Sequence, residues 1–162
     1  MCILVQPGHI HPIYSLAVHP DGALMASGDL GGVALLWDLR IGKVVLPLTG
    51  HSKGVMSASW WPEGSRLFTA SDDGTVKIWD IRARTEPYTI PAHSRLVSSV
   101  ATSGEHIITG SYDNTVKMWN SKTVELVSSL NIGSKVTSVS QHGLYVAVCC
   151  FDRTCKLWQI YN

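Results

Sequence analysis

The sequence predicts an all-β chain made of four copies of one small antiparallel sheet. Three observations carry that reading. A central stretch, SDDGTVKIWDIR at 71–82, returns at nearly constant spacing; short runs between its copies alternate apolar and small polar residues with period two; and no stretch has the period and length of a helix. TASDDGTVKIWDIR at 69–82 is matched by TGSYDNTVKMWNSK at 109–122, and more loosely by SGDLGGVALLWDLR at 27–40 and VCCFDRTCKLWQIY at 148–161. The tryptophans of these copies, Trp37, Trp79, Trp119 and Trp158, are 42, 40 and 39 residues apart. His9, His51 and His93 precede the first three by 28, 28 and 26 residues. A further turn signal, HPDG at 19–22, returns as WPEG at 61–64 and shrinks to SGE at 103–105 and HG at 142–143.

Each unit supplies its strands in a fixed order. VMSASW (55–60) and KVTSVS (135–140) alternate as half-buried strands do. SRLFTA and HIITGS are short and β-rich, and each runs through an Asp/Asn/Gly turn into TVKIW or TVKMW, a hairpin signal. KVVLPL, PYTIPA and ELVSSL give a fourth strand. The prolines in two of them suit an edge, where a missing N–H costs little. Such a sheet cannot bury both faces alone, so the four must stack on one another. Trp60 and Trp61 are adjacent and point to opposite faces, one expected between sheets and the other near the surface.

Bulk composition narrows the function. The chain of 162 residues is 45% hydrophobic and 15% charged, which is globular rather than disordered. A net charge of +1 gives no reason to expect nucleic acid or an anionic membrane as the main partner. No apolar run reaches the roughly 18 residues of a spanning helix, and MCILVQPGH carries no basic start. The absence of targeting signals points to cytosol or nucleus. The cysteines Cys2, Cys149, Cys150 and Cys155 include no C-x-x-C pair, so reduced thiols are expected, with Cys150 and Cys155 placed to face each other across a hairpin. No nucleophile–base pair, metal cluster or phosphate-binding loop stands out, so no metal, cofactor or small-molecule substrate is expected.

Units of about 40 residues with a GH start and a WD end resemble the WD-repeat family of β-propellers. The resemblance covers essentially the whole chain. It implies WD40-type blades of four antiparallel strands in one propeller segment of four repeats, at about 1–40, 41–82, 83–122 and 123–162. It also implies, in each blade, a hydrogen-bonded tetrad of His, Ser or Thr, turn Asp and Trp. Two tetrads are complete: His51, Thr69, Asp73, Trp79 and His93, Thr109, Asp113, Trp119. Two are partial. His9, Ser27 and Trp37 have Gly31 where the Asp is expected, and Asp152 and Trp158 have Val148 for the hydroxyl and Ile132 for the His. A repeated His–Asp pair without a nucleophile reads as scaffold rather than as catalyst, so Asp73 is structural and Asp72 an exposed turn residue.

Four units are few for a ring. CILVQ at 2–6 reads as an outer strand without its inner partners, and the chain is expected to be the C-terminal part of a larger ring of about seven blades. Within the family, DLRIGKVVLPLTGH, WDIRARTEPYTIPAH and FDRTCKLW resemble the repeats of a WD-repeat subunit of the U4/U6 small nuclear ribonucleoprotein. That implies a nuclear, non-catalytic scaffold in the spliceosome, partnered by ribonucleoprotein proteins and touching small nuclear RNA mostly indirectly. A rival reading takes WDLR and WDIR as the W-D-x-R box of cullin-type ubiquitin ligase receptors, with Arg40 and Arg82 meeting an adaptor. For a scaffold, the expected partner-binding residues flank the tetrads on the top face: Tyr14, Met56, Arg95, Leu96, Tyr112, Lys135 and Phe151, of types common at interfaces. Tyr112 and Phe151 occupy one slot, just before the turn Asp, in successive units. Basic residues, Lys53 among them, are scattered, which gives direct RNA contact weak support.

Overall fold

The computed structural model describes residues 7–83 and 85–160. The CILVQ segment and Cys2 lie outside the described residues. Among those described, the chain forms β-strands and no helix. Blade one holds β1 (Ile13–Val18), β2 (Leu24–Asp29), β3 (Val33–Asp38) and β4 (Lys43–Thr49). Blade two holds β5 (Val55–Trp60), β6 (Arg66–Ser71), β7 (Val76–Asp80) and β8 (Tyr88–Ile90). Blade three holds β9 (Val97–Ser103), β10 (His106–Ser111), β11 (Thr115–Asn120) and β12 (Leu126–Asn131). Blade four holds β13 (Val136–His142), β14 (Tyr145–Cys150) and β15 (Cys155–Gln159). Within each blade the strands pair antiparallel in chain order. β4 is an edge strand, which is where its Pro47 can sit without breaking a ladder.

Repeat and blade are offset by one strand. The last strand of each blade opens the next sequence repeat, so His51 stands on the link from β4 to β5 and His93 on the link from β8 to β9. The inner strands β1, β5, β9 and β13 pack side by side in that order and set the blades in an arc, a partial propeller. Register repeats with the sequence: Met25 faces Trp37, Leu67 faces Trp79, Ile107 faces Trp119 and Val146 faces Trp158.

The hydrophobic core lies between blades rather than within one. Leu67, Trp60 and Ala26 join blades one and two; Phe68, Ala70, Val97 and Val100 join two and three; Ile108, Val136 and Val139 join three and four. This arrangement corrects the expectation for the two adjacent tryptophans. Trp60 sends its indole N–H to the carbonyl of Ala17 in blade one, at 3.1 Å, while Trp61 packs on Phe68 in the cluster toward blade three. Both are buried. A blade covered on each side buries both parities of its inner strand, so neither face is the outside.

The cysteine pairing is corrected by the same parity. Cys149, not Cys150, is the register partner of Cys155, and both are exposed free thiols, whereas Cys150 turns into the core. Side chains alternate across a strand, so a shift of one residue changes the face.

The tight turn after the second strand of each blade needs a left-handed residue. Gly32, Gly74, Asn114 and Arg153 fill that slot with φ of 89°, 83°, 70° and 69°. At Gly74 a Cβ would also come within 2.7 Å of the His93 carbonyl oxygen, so glycine there serves both backbone angle and close approach.

Candidate functional site

Two polar regions stand out: the buried tetrads and the rim of turns above them. In blade two, Trp79 Nε1 lies 2.8 Å from Thr69 Oγ1, Thr69 Oγ1 lies 2.8 Å from His51 Nε2, and His51 Nδ1 lies 2.9 Å from Asp73 Oδ2. Blade three repeats this through Trp119, Thr109, His93 and Asp113 at 3.1, 2.8 and 2.9 Å. The indole can only donate, so the hydroxyl accepts its N–H. With a neutral imidazole the hydroxyl in turn donates to His Nε2, and His Nδ1–H donates to the carboxylate.

The titration of these groups agrees with that direction. Burial pushes His51 and His93 below the ordinary histidine value, and the bond and charge of Asp73 and Asp113 oppose it only in part. Burial alone would raise both carboxyls. Hydrogen bonds from Thr75 and His51 hold Asp73 below the usual range, and Thr115 and His93 hold Asp113 at about 2. Thr75 and Thr115 each donate to their Asp at 2.6 Å and are members of the network that the sequence reading missed. Their signal was present in the repeated TVK, two residues beyond each turn Asp. Lys77, Lys117 and Lys156 of the same repeat also recur, each bonding onto the preceding link or outer strand, at Thr89, Ala92 and Ile132.

Blade one corrects the sequence reading. Its tetrad is complete, because Asp29, two residues before Gly31, takes the carboxylate's place. Asp29 Oδ2 lies 2.8 Å from His9 Nδ1, His9 Nε2 lies 2.7 Å from Ser27 Oγ, and Trp37 Nε1 donates to Ser27 at 2.7 Å. The backbone amides of Gly31 and Val33 donate to Asp29 Oδ1, so the carboxylate reaches inward from the end of β2 while also tying the turn. Burial would raise this carboxyl, and the bonds from Val33 and His9 hold it low. In blade four Ile132 and Val148 are buried and apolar, Asp152 is exposed and bonded to Thr154, and Trp158 is half-buried.

Hydroxyl, imidazole and carboxylate in this order have the geometry of a nucleophilic triad. Access decides against that use. Thr69 and Thr109 have no exposed surface, Ser27 has almost none, and every one of these hydroxyls receives a tryptophan N–H. No substrate carbonyl reaches them.

The rim is different. Lys53, Asp72, Ser94, Arg95, Leu96, Tyr112 and Lys135 line an open recess of about 400 Å³ between the turns of blades two and three and the start of blade four. Asp72, expected as an exposed turn residue, is half-buried there. The Lys135 ammonium lies 5.4 Å from the Tyr112 ring centroid and 5.8 Å from that of Phe151, and so bridges the two aromatics. Of the seven top-face candidates, Arg95, Leu96, Tyr112, Lys135 and Phe151 thus gather in one place. Tyr14 and Met56, on β1 and β5, are not among the residues lining it.

Arg40 and Arg82 lie on the turns at the other end of the blades. Arg40 is held by its own Asp38, with Nη2 at 2.6 Å from Oδ2 and Nε at 3.1 Å from Oδ1, and this contact keeps the Asp38 carboxyl at about 2. Arg82 caps Asp80 through its backbone amide. Among the described residues, no three His, Cys, Asp or Glu side chains gather as metal ligands, and no helix is long and apolar enough to cross a membrane.

The WD domain, G-beta repeat family model matches residues 1–38, 42–80, 84–120 and 125–159. Small ribosomal subunit protein RACK1z of Arabidopsis thaliana is 51% identical over 41 residues, which are 25% of this chain and 12% of that protein. The solved structure of U3-55K superimposes with a TM-score of 0.89 at 23% identity, over 95% of this chain and 50% of that one. The computationally designed Ika4 protein superimposes with a TM-score of 0.88 at 25% identity, over 99% of both chains. The chain therefore spans half of the first solved relative and matches only one repeat's length of the curated one.

Proposed function

The chain belongs to the WD40 repeat family, and on that premise we propose that it works as a non-catalytic scaffold for protein assembly in a nuclear ribonucleoprotein. The observation that supports this most is the division between its two polar regions. The tetrads are closed hydrogen-bond chains without access, while the recess above them is lined by Arg95, Lys135 and the half-buried Tyr112, and Lys135 reaches from its edge to the exposed Phe151. Aromatic and cationic side chains at the mouth of a rigid scaffold are what a protein partner's apolar and acidic groups engage.

The finer reading is the U4/U6 small nuclear ribonucleoprotein, as the WD-repeat pre-mRNA processing factor four. Its support is the resemblance carried by YTIPAH at 88–93 and by SGDLGGVALLWDLR, together with WDIRARTEPYTIPAH and FDRTCKLW. The partners are then spliceosomal proteins, with small nuclear RNA held mostly through them and the nucleus as the place of work. The W-D-x-R reading gains nothing from Arg40, whose guanidinium is already paired with Asp38.

Capture from nuclear extract, with bound RNA and protein both identified, tests the proposal. Recovery of U4 and U6 RNA with spliceosomal proteins is expected. Recovery of a cullin and its adaptor without small nuclear RNA would overturn it.

A further inference from the structure

The inter-blade junction is built three times within this chain from the same positions. Its leading half is the aliphatic pair at the first and fourth positions of an inner strand. Val55, Val97 and Val136 fill the first and are fully buried; Val100 and Val139 fill the fourth in blades three and four and are buried too. Its trailing half has a serine at the third position of the inner strand and small or apolar residues on the next two strands. Ser15 donates to the Val55 carbonyl at 3.1 Å, Ser57 accepts from the Val100 amide at 3.3 Å, and Ser99 donates to the Val139 carbonyl at 3.4 Å. Gly28 and Gly110 lie so close to Val55 and Val136 that a Cβ would come within 2.5 Å of either valine. Leu36 and Ile78 bury on the same side.

Among the described residues, both halves recur at the ends of the arc without a neighbour. In blade one, Ile13 and Leu16 stand where those valines stand and are 56% and 59% exposed. In blade four, Ser138 takes the serine position and Cys149 the glycine position, both exposed, and Leu157 takes the place of Leu36 and Ile78 at 67% exposure. The chain thus carries one unfilled leading face and one unfilled trailing face of the same junction.

We propose that two copies of this chain close head to tail into one ring, each seating its blade one on the other's blade four. A heterologous contact of this kind repeats until it closes or runs on as a filament. The arc superimposes on half of the U3-55K chain, which leaves half of such a fold for a second arc. Two arcs give about eight blades, within the range that propellers adopt. Ile13 and Leu16 of one copy then cover Cys149 and Leu157 of the other, and Ser138 meets the inner-strand backbone of its partner.

Light scattering of the eluting 162-residue chain at micromolar concentration tests this. The expected mass is twice the 17.7 kDa of one chain. Leu16→Asp and, separately, Leu157→Asp alter side chains that are exposed in the single arc, so each is expected to return the mass to one chain with an unchanged circular dichroism spectrum. Ile13→Cys in a Cys155→Ser background places a thiol opposite the partner's Cys149, and mild oxidation is expected to give a covalent dimer that reducing agent releases. A wild-type monomer would overturn the proposal and leave both faces to further blades of a longer polypeptide. A dimer that survives both aspartate variants, or an oxidised ladder of higher species in place of a dimer, would overturn it as well.

Discussion

Blades two and four share the pairing of their first three strands and place opposite solutions at its centre. Blade two places His51 and Thr69 between Trp79 and Asp73, with every donor and acceptor of that chain matched. Blade four puts Ile132 and Val148 in the same two positions and packs them into an apolar cluster with Val136 and Val146. The position demands matched partners rather than polarity. A buried polar group costs about 1–3 kcal/mol when one partner is lost, while exchange of both partners for apolar groups of similar shape is nearly neutral.

Trp79→Ala removes a buried ring between two blades and is expected to cost about 3–5 kcal/mol in denaturant unfolding, with Trp158→Ala, half-buried, costing less. Thr69→Val leaves both the Trp79 N–H and His51 Nε2 unmatched and is expected to cost about 1–3 kcal/mol. Adding His51→Ile recreates the apolar pair of blade four. The double variant is then expected to lose less than the sum of the two single losses in a double-mutant cycle, and strict additivity would contradict the linked chain. Asp73→Ala is expected to cost about 1–3 kcal/mol, against less than about 0.5 kcal/mol for the exposed Asp152→Ala. Equal melting temperatures for the two variants would contradict the assignment of Asp73.

Acid sharpens the same comparison. His51 and His93 titrate below their ordinary value of 6.5 in the fold, so near and below that pH the unfolded chain binds more protons than the native one. Stability is expected to fall as pH drops through 6.5. The depressed carboxyls of Asp73 and Asp113 give stability that is present above 3.8 and lost as pH falls below it toward their folded values. The double variant His51→Ile/Thr69→Val is expected to flatten the histidine part of that slope, read as melting temperature between about pH 8 and pH 5.

Much of this was legible in the sequence because the repeat spacing, the alternation and the turn residues act locally and recur. VMSASW and HIITGS form β5 and β10 with the bounds read from the sequence. What failed depended on neighbours in space. Asp29 escaped notice because equal spacing to Trp37 singled out Gly31, yet a carboxylate two residues earlier reaches the same histidine once the turn curls back. One of Trp60 and Trp61 is expected near the surface because a lone strand has an outside, whereas a stacked blade has none and both are buried. Cys149 was passed over for Cys150 because a register error of one reverses every side chain. At the rim, Tyr112 and Phe151 are legible as one slot in two repeats and Lys135 as a flanking residue, but the bridge its ammonium makes between the two rings appears only in the fold.

On the proposed function, the tetrads hold the blades while the rim makes the contact. The measurement that tests it most directly compares nuclear-extract capture by wild-type protein and by a Tyr112→Ala/Phe151→Ala variant of matched melting temperature. The variant is expected to melt as the wild type does and to lose the spliceosomal proteins with their U4 and U6 RNA. Undiminished capture by that variant would contradict it.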